Sequence, residues 1–159
     1  MAQTKTSALT GKGGRVAIVD ALRTPFARVG TYYRDLNSVQ LGAMAVSELT
    51  ARANLKAADI DQIIYGQTIM SHGTQFIGRE IALACGMPNV DGYSVTRACA
   101  TSFQSAANAV EAILLGQAEV IIAGGVDSTS SVQVPLSRKL SSTLRDASFA
   151  KSLGDRVKI

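Results

Sequence analysis

The chain has 159 residues, of which 47% are hydrophobic and 18% charged, with two cysteines, one histidine and a formal net charge of +4. This length and apolar content allow one domain with its own core. Two cysteines exclude a disulfide framework and indicate a reducing compartment, which we expect to be the cytoplasm. The sequence lacks a signal-peptide core, and no apolar run approaches the roughly 20 residues of a membrane-spanning helix.

The first residues, 1–14, are predicted to form a flexible leader. They are rich in Thr, Ser and Gly and contain no acidic residue. Such a segment is typical either of a weak transit peptide or of the leader of a cytosolic protein, and we favour the leader.

From residue 15 onward the pattern predicts strands that alternate with helices. Near-continuous apolar strands between helices are typical of a largely parallel sheet covered on both faces. We therefore predict an α/β domain of the type βαβαβαβ over residues 15–127. The predicted strands are 15–21, 61–66, 92–98 and 119–125, and the predicted helices are 38–53, 76–85 and 101–115.

Two helix starts carry the residue pairs of a capping box. Asn37 with Gln40 precedes the first helix, and Thr101 with Gln104 begins the last of the three. That last helix is rich in Ala and Ser and carries only one charge, so we expect it to be buried on most sides.

The strand and helix pattern breaks after residue 127. Residues 128–159 hold six basic and two acidic side chains, which accounts for the whole net charge, and show a weak helical phase around 139–152. Aromatic residues are only 5% of the chain, which argues against nucleic-acid binding. An anionic small molecule or a solvated surface both fit these charges, and the charge alone favours the surface.

Cys99 is the candidate nucleophile, because it lies where the third predicted strand gives way to a helix. Free N–H groups and the positive end of the helix dipole favour a thiolate at that point, and the thiolate is the attacking form of cysteine. From these residues alone, a nucleophile and a small packing residue are both open interpretations.

The other chemically active residues point to structural roles. Cys85 shares a helix face with Ile77 and Ile81 and lies at the negative end of that helix, so we predict a packing residue. His72 is the only imidazole and thus the only ready general base, but nothing in the sequence directs it at Cys99. The pair Gly124-Gly125 matches no phosphate-binding motif, and we expect it to allow close approach of backbone or ligand.

Four separated motifs occur in order and at fitting intervals, and together they resemble the N-terminal part of a thiolase. The tail residues Val134-Pro135 and Ser137-Arg138-Lys139-Leu140 are similar to the β-subunit branch of the fatty-acid oxidation trifunctional complex. The four motifs are Arg23-Thr24-Pro25-Phe26, Tyr65-Gly66-Gln67, Arg97-Ala98-Cys99-Ala100-Thr101-Ser102 and Ala123-Gly124-Gly125-Val126-Asp127-Ser128.

The resemblance implies an acyltransferase that cleaves a 3-ketoacyl-CoA with free CoA, giving acetyl-CoA and a shortened acyl-CoA. Cys99 would attack the ketone and carry the acyl group as a thioester, while its own N–H helps to hold the thioester oxygen. Residues 128–159 would begin the basic loop region that contacts CoA. Coenzyme A and acyl-CoA are then substrates, with no metal and no covalently bound cofactor. The resemblance also implies a homo-oligomer and admits a hydratase/dehydrogenase partner subunit.

Two motifs of the family do not occur in this sequence. The family's base lies in a Gly-His-Pro motif and its second cysteine in a Cys-x-Gly motif, whereas His72 precedes Gly73 and Cys85 directly precedes Gly86. We therefore expect a fragment, truncated at the start of the loop region, that does not turn over alone. The alternatives are a ketosynthase-type condensing enzyme of the same fold and a non-catalytic module that binds acyl-CoA or a protein partner.

Overall fold

The computed structural model describes residues 14–70, 73–150 and 152. The leader prediction therefore lies almost wholly outside the described residues, as does His72. The helices are α1 (Ser38–Arg52), α2 (Ile77–Ala84), α3 (Thr101–Leu114) and α4 (Arg138–Phe149), with a 3₁₀ turn at Ala57–Asp59, and the strands are β1 (Gln62–Gly66), β2 (Asp91–Val95) and β3 (Ile121–Gly125).

The three strands form one parallel sheet in the order β2-β1-β3. The register sets Gly66 at the end of β1 beside Val95 of β2 and Gly125 of β3. The carboxyl ends of all three strands therefore meet at one edge of the sheet, where the loops that follow them are neighbours. The prediction of an α/β protein with a parallel sheet is confirmed.

Helices cover both faces of this sheet. Successive side chains of a strand point to opposite faces, so β1 contributes to two layers. Ile63 and Tyr65 pack into the main core with residues of α1 and α2, while Gly66 lies against Thr101 of α3. The main core consists of Val46, Ile60, Ile63, Tyr65, Ile77, Ile81, Ala82, Met87, Val90 and Ile122.

The predicted first strand, 15–21, is wrong for the described structure. These residues have no regular secondary structure, and Ile18 and Val19 are 89% and 87% exposed. An apolar run shows that a segment suits burial, but a strand also needs a neighbouring edge with which to pair. Among the described residues, no strand of the sheet pairs with residues 15–21.

The helix starts and ends follow the sequence signals with one exception. Asn37 and Gln40 form the predicted capping box, with both hydrogen bonds at 2.9 Å. The box predicted for Thr101 is wrong, because Ala100 is the N-cap and no side chain caps α3. Gly86 and Gly116 follow α2 and α3 with φ of +72° and +71°, a backbone conformation that favours glycine.

Helix α3 is not buried on most sides, contrary to expectation. Thr101, Ser105 and Ala109 form its buried stripe, whereas Phe103 is 81% exposed. The small residues at its start instead allow the helix to approach the sheet closely. Thr101 lies against Gly66, and Ser102 lies against Gly125.

Helix α4 confirms the weak helical phase in the tail. The Ser137 hydroxyl accepts a hydrogen bond from the Leu140 amide at 3.2 Å, as an N-cap does. No residue of α4 is buried. Within the part of the chain that the structure describes, no helix has the length and apolar character needed to cross a membrane.

Candidate functional site

Three loops meet at the carboxyl edge of the sheet. One follows β1 and contains Thr68 and Ile69, one follows β2 and contains Cys99, and one follows β3 and contains Asp127. The Asp127 carboxylate accepts hydrogen bonds from the amides of Ile69 at 2.8 Å and Thr68 at 3.0 Å. Asp127 thus ties the loop after β1 to the end of β3.

The turn between β2 and α3 has an unusual backbone. Ala98 adopts a left-handed conformation with φ of +46°, although it has a Cβ atom. Its carbonyl accepts hydrogen bonds from the Thr101 hydroxyl at 2.7 Å, the Thr68 hydroxyl at 3.1 Å and the Thr101 amide at 3.2 Å. The conformation of the turn is therefore set by hydrogen bonds and not by a glycine.

Cys99 follows Ala98 directly and is exposed to solvent. It lies two residues before the first residue of α3, so the positive end of that helix is adjacent. The amides of Cys99, Ser102 and Phe103 donate no hydrogen bond to any described residue. An accessible thiol beside N–H donors that no described residue engages has the chemical groups that nucleophilic attack on a carbonyl needs.

Cys85 has a different environment, in agreement with its predicted packing role. It is partly buried and packs against the main core. Its thiol donates to the Ala43 carbonyl at 3.6 Å and accepts from the Ser47 hydroxyl at 3.4 Å. The sulfur therefore contacts α1 through both hydrogen bonds, as a small packing residue does.

Gly124 allows a close approach, but its neighbour is a side chain and not the backbone or ligand that was expected at the glycine pair. A Cβ atom there would lie 2.5 Å from Cε2 of Tyr65, so the neighbour is an aromatic ring. Burial raises the pKa of Tyr65 to about 12, with a smaller contribution from Cys85. Tyr65 therefore stays neutral at physiological pH and acts as a packing residue.

The charged residues of the tail are dispersed. Arg138, Lys139 and Arg145 are exposed on α4, and none of the three forms a salt bridge within the described ranges. Lys151, Arg156 and Lys158 lie outside those ranges. Among the described residues, no group of three or more His, Cys, Asp or Glu side chains could hold a metal ion.

Sequence reasoning missed three residues of this site, Thr68, Ala98 and Asp127. An Ala gives no signal for a left-handed backbone, because that conformation is usually marked by Gly, Asn or Asp. Asp127 had a usable signal, since a carboxylate directly after a parallel strand faces the loops at the same sheet edge.

Comparison with known proteins agrees with this fold. A family model described as the thiolase N-terminal domain matches residues 16–153. The 3-ketoacyl-CoA thiolases of Pseudoalteromonas translucida and Shewanella pealeana are each 46% identical, over 94% and 93% of this chain. The chain spans only 35% and 34% of their lengths.

Two solved structures share the fold. The Bacillus anthracis acetyl-CoA acetyltransferase superposes with a TM-score of 0.67 at 29% identity, over 70% of this chain and 28% of its own. The Acat5 thiolase from Ascaris suum in complex with coenzyme A superposes with a TM-score of 0.70 at 25% identity, over 74% of this chain and 31% of its own. The chain is an α/β domain in which an exposed cysteine lies between a strand and a helix. The chain belongs to the thiolase family and carries its N-terminal domain, which disfavours the ketosynthase alternative.

Proposed function

We propose that the full-length protein is a thiolase that cleaves a 3-ketoacyl-CoA with free CoA, and that Cys99 is its nucleophile. The observation that carries this proposal is the contrast between the two cysteines. Cys99 is exposed at the start of α3, whereas Cys85 is packed against the core. The names of the 46% identical relatives support 3-ketoacyl-CoA as the substrate class.

The reaction divides into two acyl transfers. The Cys99 thiolate attacks the C3 ketone, the bond between C2 and C3 breaks, and the two-carbon fragment takes up a proton and leaves as acetyl-CoA. The shortened acyl group stays on Cys99 as a thioester. The thiolate of a second CoA then attacks this thioester, releasing the shortened acyl-CoA and the Cys99 thiolate. The free amides near Cys99 are suited to hold the acyl oxygen in both steps.

The groups that move protons in these steps are not assigned to residues of this chain. Its sequence contains neither a Gly-His-Pro nor a Cys-x-Gly motif. We therefore propose that residues 1–159 alone do not turn over. Detectable thiolysis by this polypeptide would contradict that proposal.

We also propose the domain division predicted from the sequence, with a leader at 1–14, the α/β domain at 15–127 and the start of a loop region at 128–159. The exposed bases of α4 support a role for this region beside the phosphates of CoA. Coenzyme A serves as a substrate in this proposal, with no covalently bound cofactor. A cytoplasmic location is supported by the free thiols.

A homo-oligomer is the partner arrangement that we propose. Beyond β2, no described strand pairs with the outer edge of the sheet, and a cleft of about 350 Å³ lies there. Gln67 lines this cleft and is 3% exposed, and its Nε2 has no hydrogen-bond partner among the described residues. A buried donor without an acceptor is costly, and a strand from a second copy would supply carbonyl oxygens. The exposed Met70 and Phe76 beside the cleft fit the same surface.

The mass of the full-length protein in solution, from sedimentation equilibrium, tests the homo-oligomer, and a monomer would contradict it. The hydratase/dehydrogenase subunit is supported by the family resemblance alone. Its test is a mass shift when that subunit is added.

The replacement Cys99→Ala in the full-length protein tests the catalytic proposal. We expect loss of thiolysis by a factor of at least about 10⁴, because the proposed thioester forms on the Cys99 sulfur. Cys85→Ala is the matched control and should keep most of the activity. Retained thiolysis in Cys99→Ala would favour the non-catalytic module.

A further inference from the structure

The direction of the Cys99 side chain depends on the residue before it. Ala98 has a φ of +46°, a conformation that residues with a Cβ atom rarely adopt. Such a backbone persists only where surrounding contacts hold it. Because Ala98 precedes Cys99, its dihedral angles set where the thiol and the amide of Cys99 point.

One hydroxyl group holds the residues on both sides of this bend. The Thr101 hydroxyl donates to the Ala98 carbonyl at 2.7 Å and accepts from the Arg97 amide at 2.8 Å. The Thr68 hydroxyl donates to the same carbonyl at 3.1 Å. A threonine at the start of α3 and a threonine in the loop after β1 therefore donate to the same backbone oxygen.

Both threonines are themselves fixed. Thr101 is 5% exposed, and its methyl group lies so close to Gly66 that a Cβ atom there would collide with it. The amide of Thr68 donates to the carboxylate of Asp127 at the end of β3. The bend is thus held in place relative to the sheet by the contact of Thr101 with β1 and by the hydrogen bond of Thr68 to Asp127, which follows β3.

We propose that Thr101, assisted by Thr68, is a positioning residue that holds the Ala98 bend and so directs Cys99 toward the acyl carbonyl. This inference rests on the proposed function, in which Cys99 is the nucleophile. Thr101 acts through Ala98 and does not touch the reacting atoms. Removing its hydroxyl leaves the Ala98 carbonyl and the Arg97 amide without their shared partner, which frees the turn.

The test compares Thr101→Val with Thr101→Ser in the full-length protein. Two rates are measured, namely thiolysis and the alkylation of Cys99 by iodoacetamide, followed by peptide mass spectrometry. Thr101→Val should lower kcat and the Cys99 alkylation rate by roughly ten- to a hundredfold, because small displacements of a nucleophile are costly. The KM for the acyl-CoA should change less than about threefold. Thr101→Ser keeps the hydroxyl and should restore both rates to within about threefold.

Thr50→Val is the matched control. Thr50 is also buried in a helix, and its hydroxyl donates to the Ser47 carbonyl at 2.9 Å, far from Cys99 in the fold. It should lower the unfolding temperature as Thr101→Val does, without changing the alkylation of Cys99. If Thr101→Val does not fold, Thr68→Val against Thr68→Ser gives the same comparison on an exposed loop, with a roughly two- to fivefold effect.

Equal alkylation rates in Thr101→Val and Thr50→Val would overturn the proposal, as would equal losses in Thr101→Val and Thr101→Ser. Failure of the proposed function is distinguishable. In that case Cys99→Ala would keep thiolysis, while the alkylation rate of Cys99 would still report whether Thr101 holds the turn.

Discussion

The ring of Tyr65 fills the space that a side chain at position 124 would need. A Cβ atom on Gly124 would lie 2.5 Å from Cε2 and 2.8 Å from Cζ of that ring. Tyr65 and Gly124 are paired in register on neighbouring strands β1 and β3. The glycine is therefore required by packing within the sheet.

Gly124→Ala should destabilise the full-length protein by about 1–3 kcal/mol, since an added methyl group must displace a buried ring. Urea unfolding of both proteins measures this difference. The second replacement Tyr65→Leu should remove most of the added cost in a double-mutant cycle. An additive double mutant would show that the ring is not the cause.

The two cysteines should differ in their reaction with iodoacetamide. We expect Cys99 to react at least about tenfold faster in the full-length protein, because its thiol is exposed at a helix N-terminus while that of Cys85 is partly buried and hydrogen-bonded. Peptide mass spectrometry over time gives both rates. Equal rates would argue against an activated nucleophile, and urea-unfolded protein is the control in which the difference should vanish.

Asp61 should contribute stability that depends on pH. The amides of Val120 at 3.0 Å and Glu119 at 2.7 Å donate to its carboxylate and lower its pKa from the ordinary aspartate value. A lowered folded-state pKa means that the contribution is present above the unfolded value of about 3.9. It is lost as pH falls through the lower folded value.

Asp61→Asn should therefore lower the urea midpoint at pH 7 and lose its effect as pH falls below about 4. Glu111→Gln is the control, because the Glu111 carboxylate accepts no hydrogen bond among the described residues. Its difference from the unmodified protein should be small at both pH values. A difference for Asp61→Asn that stays constant with pH would contradict the argument.

The core position Ile81 is expected to be far more sensitive than Leu83 in the same helix. Ile81 is completely buried, so Ile81→Ala should cost about 2–5 kcal/mol through lost burial and a residual cavity. Leu83 is about half exposed, and Leu83→Ala should cost about 1 kcal/mol or less. If the two replacements lowered the free energy of unfolding by similar amounts, Ile81 would not be a core residue.

Much of the fold could be read from local sequence patterns. The cap at Asn37 and the terminating Gly86 and Gly116 act through their own neighbours, so the sequence is enough to predict them. Residues 15–21 show the opposite case. Their apolar pattern predicted a strand, but strand formation depends on a pairing edge that no local pattern specifies.

The candidate site divides in the same way. The amino-acid sequence was enough to predict a thiol between a strand and a helix, because that depends on the order of residues along the chain. The three-dimensional fold was needed to show that Ala98 adopts a left-handed conformation held by hydrogen bonds from Thr101 and Thr68. It was also needed to show that Cys85 is partly buried and Cys99 exposed. Solvent exposure and the hydrogen bonds that join two loops both depend on residues far apart in sequence. They are therefore defined only once the sheet has brought its strand ends together.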